Sequence, residues 1–332
     1  MKDDGTKVAD MELRPASLDD AAIVADVDTE IRHDDPEDPV MLRHWWELIA
    51  ADAVVKRYIA TRNGSPVGYA TWNHVPWERM PERFLRVSAD LRPAARTPER
   101  LDALFAHLEG EARDEGARKL TAWSFDGDAV KMEVLTARGF REERRQRFWE
   151  LDLRANRERI EKMAAESRER MRREGIRVLT LDQNADPARW EKLKRMSDEA
   201  EADVPTTVPH VPMAMAGWMK WFDSPALRPD RSWIAQEGDD IVGISQLAYP
   251  PVRGVVVTDW TGTARKVRGR GVARALKCET LVQAIALGVD RVLTDNDSAN
   301  APILHINETM GYRIRIEGIQ YLKELLGPRV TR

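Results

Sequence analysis

The sequence contains one cysteine, Cys278, in 332 residues. A single cysteine excludes an intrachain disulfide and any zinc site that is built from several cysteine thiolates. The six histidines are scattered, and no two of them have the His-x-x-x-His spacing that is common in zinc sites. We therefore expect no metal cofactor.

Long apolar runs and an excess of positive charge are also missing. No run of 18 apolar residues occurs, so we expect no membrane-spanning helix and no membrane partner. The N-terminal stretch MKDDGTKVADMELRP lacks the apolar core of a secretory signal, and we expect a cytoplasmic protein. The net charge of −4 and the pI of about 6.0 differ from the basic balance of nucleic-acid-binding domains, so we expect no nucleic-acid partner. Nothing in the composition indicates the oligomeric state.

The chain consists of two halves that repeat one another. DEGARKLTAW begins 172 positions before ALGVDRVLTD, and Gly139-Phe140 aligns with Gly311-Tyr312 at the same offset. Each half begins with a helical region, followed by two strands joined by a polar turn and then a third strand. A long amphipathic helix, a short strand, a short helix and a closing strand pair follow. This order predicts an α/β half with a mixed sheet.

A charged segment, residues 154–175, separates the halves. Five of its residues recur at helical spacings of three and four: Ile160, Met163, Ala164, Ser167 and Met171. Gly175 is a suitable stop after the last turn. We predict a connecting helix at 154–175, a first domain at 1–153 and a second domain at 176–332.

The stretch VRGRGVARALK, residues 267–277, follows an apolar strand and opens a helix near Val272. Its two glycines, Gly269 and Gly271, permit a tight turn and a close approach of the backbone to an anion. The first amides of a helix lack intrahelical acceptors and lie at the positive end of the dipole, which favours phosphate. The Gly-Lys-Ser/Thr end of a P-loop and the third glycine of a dinucleotide fingerprint are both missing. A nucleic-acid patch built on the arginines is the competing interpretation.

Three motifs in the second half resemble the GCN5-related N-acetyltransferase (GNAT) superfamily. RGRGVA matches the Arg/Gln-x-x-Gly-x-Gly/Ala motif, TGTARKV resembles the approach to it, and LTDNDSANAPILHINETMGY resembles the following strand and helix. The resemblance covers residues 233–322, and the repeat extends it to the first half as a degenerate copy. It implies two tandem GNAT-like domains with a mycothiol-synthase-like organisation. Each would be an α/β (α+β) unit with a mixed, mostly antiparallel sheet, flanking helices and splayed central strands.

The resemblance also implies acetyl-CoA as the co-substrate. Thr261, Gly262 and Thr263 would contact pantetheine through backbone groups. The residues implied to hold the pyrophosphate are Arg268, Gly269, Arg270, Gly271, Val272 and Ala273. Asn300 would either bind the pantetheine arm or cap the last helix.

The first half departs from this motif. Arg96 aligns with Arg268, but Glu99 replaces Gly271 and Leu101 replaces Ala273. Thr97 and Pro98 keep the residue types that begin a helix. We therefore expect a structural first half that does not bind the coenzyme in the usual way.

Two residues are candidates for the chemistry. Asp259 lies on the strand GVVVTDW, where alternation places it with Val257 on one face and Trp260 on the other. The resemblance implies a general base on this strand, and hydrogen bonding to neighbouring backbone is the alternative role. Asn307 stands four residues before Gly311, where many family members have a tyrosine that protonates the leaving thiolate. Its amide cannot act as an acid but can donate a hydrogen bond to sulfur.

The acceptor is expected to bind beside this strand. The acidic stretch SDEAEADVP, residues 197–205, would line a site for a cationic amine or form a solvated cluster at a helix end. Trp218 and Trp221 would line an acceptor pocket or pack in the core. We predict transfer of acetyl from acetyl-CoA to a primary amine of a small molecule or peptide, with the active site in the second half. The alternative is a non-catalytic acyl-CoA-binding or regulatory protein.

Overall fold

The computed structural model describes residues 6–325. The start of the N-terminal stretch examined for a signal and the outer ends of the two predicted domains lie outside the described residues. Among the helices of residues 6–325, none has both the length and the apolar character needed to cross a membrane.

The first half alternates strands and helices in the predicted order. Its strands are β1 (Thr6–Val8), β2 (Met11–Pro15), β3 (Val54–Arg62), β4 (Ser65–His74), β5 (Phe84–Leu91), β6 (Lys119–Phe125) and β7 (Arg141–Asp152). Its helices are α1 (Ala21–Ile31), α2 (Pro39–Asp52), α3 (Pro98–Asp114) and α4 (Ala129–Ala137).

The second half follows the same plan. Its helices are α5 (Arg157–Arg173), α6 (Arg189–Glu201), α7 (Met215–Phe222), α8 (Val272–Ala286) and α9 (Ala301–Met310). Its strands are β8 (Arg177–Thr180), β9 (Ser232–Glu237), β10 (Asp240–Ala248), β11 (Val256–Thr263), β12 (Arg291–Asp297) and β13 (Arg313–Glu324). The three strands β5, β6 and β7 begin and end 172 residues before β11, β12 and β13, so the repeat in sequence is a repeat in structure.

The thirteen strands described in residues 6–325 form one continuous sheet, in the order β1-β2-β3-β4-β5-β6-β13-β7-β12-β11-β10-β9-β8. The two halves exchange their last strands. β13 pairs with β6 of the first half, β7 pairs with β12 of the second half, and both pairings are antiparallel. The predicted closing strand pair within each half is therefore wrong. Each half ends in one long strand, β7 or β13, instead of a pair of strands. The alternation of residues along such a segment predicts a strand but does not predict which other strands it pairs with.

The central strands of both halves separate, as the predicted fold class requires. β5 and β6 are paired in parallel only from Phe84 to Arg86, and β11 and β12 only at Val256 and Val257. Beyond these pairs the strands diverge, and the peptide groups of β11 from residue 258 to 263 have no partner on the β12 side. The divergence opens a cleft through the sheet in each half.

Helix α5, the predicted connecting helix, packs against α8 and β8 of the second half. All five residues of its predicted apolar stripe are buried. Gly175, at φ +69°, ends the helix, and the Ile176 amide donates to the Met171 carbonyl, as in a Schellman motif. Arg168 on the polar side of the helix forms a bidentate ion pair with Glu279 of α8.

Candidate functional site

The glycine loop has the geometry of an anion site. Gly269 and Gly271 have φ values of +77° and +88°, a region that other residues rarely adopt. Gly271 directly precedes α8, and the first helical hydrogen bond here runs from the Ala275 amide to the Gly271 carbonyl. Within the described part of the chain, the amides of residues 272–274 have no acceptor. The predicted helix start at Val272 is confirmed, with free amides at the positive end of the helix.

Carboxylates surround the arginines of this loop. Arg268 Nη1 lies 2.7 Å from Asp203 Oδ2, and Arg270 pairs with Glu174 and Glu237 at 2.8 Å each. Hydrogen bonds from Arg265 and Arg268 hold the pKa of Asp203 well below its usual range. An incoming phosphate would meet free amides directly, but it would compete with Asp203 for the Arg268 guanidinium.

The three β11 residues implied to contact pantetheine lie on the diverging part of the strand. Thr261 Oγ1 is 2.9 Å from Ser245 Oγ of β10, which fixes this side chain against the neighbouring strand. A Cβ atom on Gly262 would lie only 3.1 Å from the Cβ of Ala200, so glycine permits the close packing of α6 on β11. The backbone edge of β11 that faces the cleft stays available.

Two asparagines of the last motif, Asn300 and Asn307, precede α9 and lie in its second half, respectively. Asn300 directly precedes the helix, but its side chain makes no capping hydrogen bond. Asn307 is fully buried, its Nδ2 donates to Asn296 Oδ1 at 2.6 Å, and its Oδ1 has no partner among the described residues. A tyrosine at position 307 would need its neighbours to move.

Asp259 occupies a β-bulge in β11. Gln246 of β10 pairs with Trp260 and Leu247 pairs with Thr258, which leaves Asp259 as the extra residue. Gln246 Nε2 donates to Asp259 Oδ2 at 2.8 Å. Asp259 and Trp260 line the same cavity, so the predicted placement of Trp260 on the opposite face is wrong. A bulge inserts one residue into the strand and breaks the alternation on which that prediction rested.

The cavity beside Asp259 has a volume of about 640 Å³. Its lining comes from α2, from the end of α6 and the segment after it, from α7 and from β11: Trp45, Leu48, Glu201, Val204, Thr206, Val208, Pro209, His210, Val211, Met213, Trp218, Trp221, Asp259 and Trp260. Burial raises the pKa of Asp259 to about 6, although hydrogen bonds from Gln246 and Trp221 act in the opposite direction. Burial also raises the pKa of Glu201.

The structure divides the acidic stretch between two roles. Glu201 faces the cavity, whereas Asp203 pairs with the loop arginines and Asp198 forms an ion pair with Lys194. Trp218 and Trp221 line the cavity and also pack in the surrounding core. The contribution of Trp45 was missed, because nothing in the local sequence of α2 indicates a wall of a cavity in the other half.

The matching cleft of the first half is filled by an internal charge cluster. Asp90 of β5 accepts from Arg96 Nε at 2.8 Å and from Lys131 Nζ at 3.1 Å, and Arg96 also pairs with Asp128 at 2.5 Å. Burial opposes ionisation, but Lys131 and Arg96 still keep the pKa of Asp90 below its ordinary value. The cluster ties β5, the turn before α3 and the start of α4 together.

The start of α3 is satisfied by its own side chains. Thr97 Oγ1 accepts from the Arg100 amide at 3.4 Å, which confirms Thr97 as the N-cap. Hydrogen bonds from the Glu99 amide and from Thr97 lower the pKa of the Glu99 carboxyl. A carboxylate of the chain therefore occupies the helix end that is open in the second half.

A buried amine lies on α8, beside the ring of Tyr312. Lys277 of α8 is 2% exposed, and its Nζ lies 5.2 Å from the centre of the Tyr312 ring. Lys277 stands four and seven residues before Leu281 and Ala284, and this spacing places it on the buried face of α8.

Lys277→Met is expected to stabilise the protein at pH 7. Burial lowers the pKa of Lys277 from 10.5 to about 8, so the folded state binds this proton more weakly than the unfolded state does. The penalty is full below pH 8 and fades as the pH rises from about 8 to 10.5, which corresponds to about 3 kcal/mol at pH 7. Urea unfolding at several pH values measures this, with exposed Lys266→Met as the control. A less stable Lys277→Met at pH 7 would contradict the prediction.

No protein-family model and no curated protein sequence matches this chain. Solved structures do match it over nearly its full length. A tandem GNAT protein from the clavulanic acid biosynthesis pathway is 14% identical, with 95% of this chain and 98% of that chain covered and a TM-score of 0.72. A GCN5-related N-acetyltransferase from Sphaerobacter thermophilus is 17% identical, with 96% and 97% covered and a TM-score of 0.67.

A third match is a glucosamine N-acetyltransferase region of a fungal multi-domain β-N-acetylglucosaminidase. It is 13% identical, with 95% of this chain and 38% of that longer chain covered and a TM-score of 0.64. At these identities the likeness is one of fold. Within residues 6–325, no group of three or more His, Cys, Asp or Glu side chains is arranged to hold a metal ion.

Proposed function

The chain has a tandem GNAT fold, and from this premise we propose that it is an acyltransferase. It transfers an acetyl group from acetyl-CoA to a primary amine at one active site in the second half, while the first half is structural. One observation carries the proposal. The second half combines three features: free amides at the start of α8, the diverging strands β11 and β12, and a carboxylate in an aromatic cavity. In the first half, a charge cluster occupies the matching position.

The loop and β11 supply the coenzyme site in this proposal. The amides of residues 271–274 receive the pyrophosphate, and Arg268 and Arg270 add charge-assisted hydrogen bonds once they leave their carboxylate partners. The backbone edge of Thr261 to Thr263 on the β12 side binds the pantetheine arm, and Asn300, which precedes α9 and makes no capping hydrogen bond within residues 6–325, contributes its side chain to the same arm. The support is the loop geometry, since the two glycines have φ values of +77° and +88° and Arg170 Nη2, which donates to the Gly269 carbonyl at 3.0 Å, adds a further cation at the loop.

Asp259 is the proton acceptor of the reaction. An alkyl ammonium has a pKa of about 10.4 and must lose a proton before its nitrogen can attack. Asp259, with a pKa raised to about 6, is ionised at neutral pH and is a stronger base than an ordinary aspartate. The neutral amine attacks the thioester carbonyl, and the tetrahedral intermediate collapses with cleavage of the C–S bond to release a thiolate. The remaining excess proton of the attacking nitrogen passes to this thiolate, so that an amide and a free thiol are formed. Thiolate is a good leaving group because its pKa is about 8.5, so the asparagine at position 307 need only donate a hydrogen bond.

Acetyl-CoA is expected to bind with a stoichiometry of one per chain. The Asp90 cluster and the Glu99 carboxylate occupy the first-half positions that phosphate and pantetheine would need. Titration calorimetry of the full chain measures the stoichiometry. Two equivalent sites, or one site that persists when the second-half loop is disabled, would contradict the assignment.

We also propose that the protein is cytoplasmic. Cysteine usage supports this location, since Cys278 is a free, buried thiol, as is usual in a reducing compartment.

A further inference from the structure

The cavity beside Asp259 is mostly aromatic, with charge at two positions. Four indole rings line it, those of Trp45, Trp218, Trp221 and Trp260. The carboxylates in its wall are Asp259 on the β11 bulge and Glu201 at the end of α6, where His210 Nε2 lies 3.6 Å from Glu201 Oε2. A volume of about 640 Å³ is in the range of sites for small organic ligands.

We propose that the acceptor is a primary amine carried on a flat aromatic body, and that Trp45 of the first half determines this specificity. The inference rests on the proposed function, because it assigns the occupant of that site's acceptor cavity. Indole faces attract both an aromatic ring and a cationic amine. A single amine at Asp259 satisfies the buried charge there, and the remaining apolar wall requires an apolar body of the ligand.

The charge pattern distinguishes this occupant from a polyamine. A polyamine carries several ammonium groups separated by short alkyl chains, and each would need a carboxylate or water. The lining supplies two carboxylates: Glu201 has the imidazole of His210 at 3.6 Å, whereas Asp259 lies in the part of the wall formed by tryptophans. The apolar wall therefore favours one ammonium group and a rigid ring.

The first half holds its part of the wall in place through several contacts. Asp38 caps α2 by accepting from the Val40 and Met41 amides, and its other oxygen accepts from the amides of Val252 and Arg253 of the second half at 2.7 and 2.9 Å. These bonds fix α2, which carries Trp45 and Leu48, against the β10–β11 connection. Arg79 Nη2 also donates to the Pro212 carbonyl at 3.2 Å, in the segment that forms another wall of the cavity.

The test is calorimetric binding of three amines to the full chain: 2-phenylethylamine, 2-cyclohexylethylamine and spermidine. Wild type is expected to bind 2-phenylethylamine about tenfold more tightly than the other two, the size of effect that aromatic and cation–π contacts give. Trp45→Ala should weaken its binding about tenfold, and Trp45→Phe should restore most of it. Trp77→Ala is the matched control, because Trp77 lies in the same half, stacks on His74 and is outside the cavity.

Equal affinity for the three amines, tighter binding of spermidine, or an unchanged Trp45→Ala would each overturn the proposal. If Trp45→Ala does not fold, the ranking of the three amines on wild type and Trp45→Phe decides the question. Parallel titration with acetyl-CoA separates this inference from the function on which it rests. Binding of acetyl-CoA without a preference for the aromatic amine refutes the acceptor class alone, whereas aromatic amine binding without acetyl-CoA binding refutes the proposed function.

Discussion

Gly271→Glu is expected to abolish measurable acetyl-CoA binding in a folded protein. A Cβ atom at position 271 would lie 3.0 Å from Arg170 Nη1, and φ at this residue is +88°, so any side chain is strained and crowded here. A glutamate would also place a negative charge where the pyrophosphate is proposed to bind. The first half has such a carboxylate, Glu99, at the equivalent start of α3. Loss of several charge-assisted hydrogen bonds at about 1.5–3 kcal/mol each weakens the affinity by orders of magnitude.

Gly288→Glu is the matched control for this variant. Gly288 follows α8 at φ +79°, and a Cβ atom there meets nothing within 4 Å. The variant Gly288→Glu therefore introduces comparable backbone strain and the same negative charge, but at the C-terminal end of α8. Calorimetry should show wild-type affinity for Gly288→Glu. Retained affinity in a folded Gly271→Glu would show that the anion binds elsewhere.

Asp259→Asn is expected to lower kcat/KM by about 10²–10⁴, the usual range for a general acid or base. The wild-type profile of kcat/KM should rise as the pH increases through about 6, because Asp259 must be ionised to accept the proton. The variant should lose this rise. Its stability at neutral pH should not fall, because the raised pKa means that burial disfavours the ionised carboxylate that asparagine replaces.

Asn307→Ala serves as the comparison for Asp259→Asn. It removes a buried amide that donates to Asn296, and we expect a smaller loss of activity, because a thiolate can leave without a strong acid. Initial rates over about pH 6–9 with one amine distinguish the two residues. Full activity in Asp259→Asn together with an inactive, folded Asn307→Ala would reverse their assigned roles.

Features that depend on local backbone could be predicted from the sequence. Positive φ at Gly269 and Gly271, the start of α8 at Val272 and the N-cap at Thr97 all follow from the preferences of one or two residues. The 172-residue repeat also aligned β6 with β12, because the stretches DEGARKLTAW and ALGVDRVLTD that define the offset run into these two strands.

Features that depend on distant pairing could not be predicted in the same way. The exchange of β7 and β13 involves partners in opposite halves, and alternation along either strand is the same for any partner. The bulge at Asp259 depends on how β10 aligns with β11. Trp45 reaches the cavity only because Asp38 holds α2 against the second half.

The difference between the two halves depends both on local sequence and on distant contacts. Glu99 and Leu101 are sufficient to predict that the first half lacks a phosphate loop. The Asp90–Arg96 and Arg96–Asp128 contacts in the first half join residues up to 32 positions apart, and no motif links them. Breaking one of these ion pairs would leave an unpaired buried charge, which is costly. The cluster therefore holds β5, the turn before α3 and the start of α4 together.

The most direct test of the account measures thiol release from acetyl-CoA with and without added amines, and identifies the acetylated product by mass. The full chain should release coenzyme A thiol in an amine-dependent manner, with one acetylated amine formed for each thiol. Gly271→Glu should be inactive in the same assay, while Gly288→Glu should retain activity. Stoichiometric acetyl-CoA binding without amine-dependent thiol release across an amine panel that includes 2-phenylethylamine would contradict the account, and would identify an acyl-CoA-binding or regulatory protein instead.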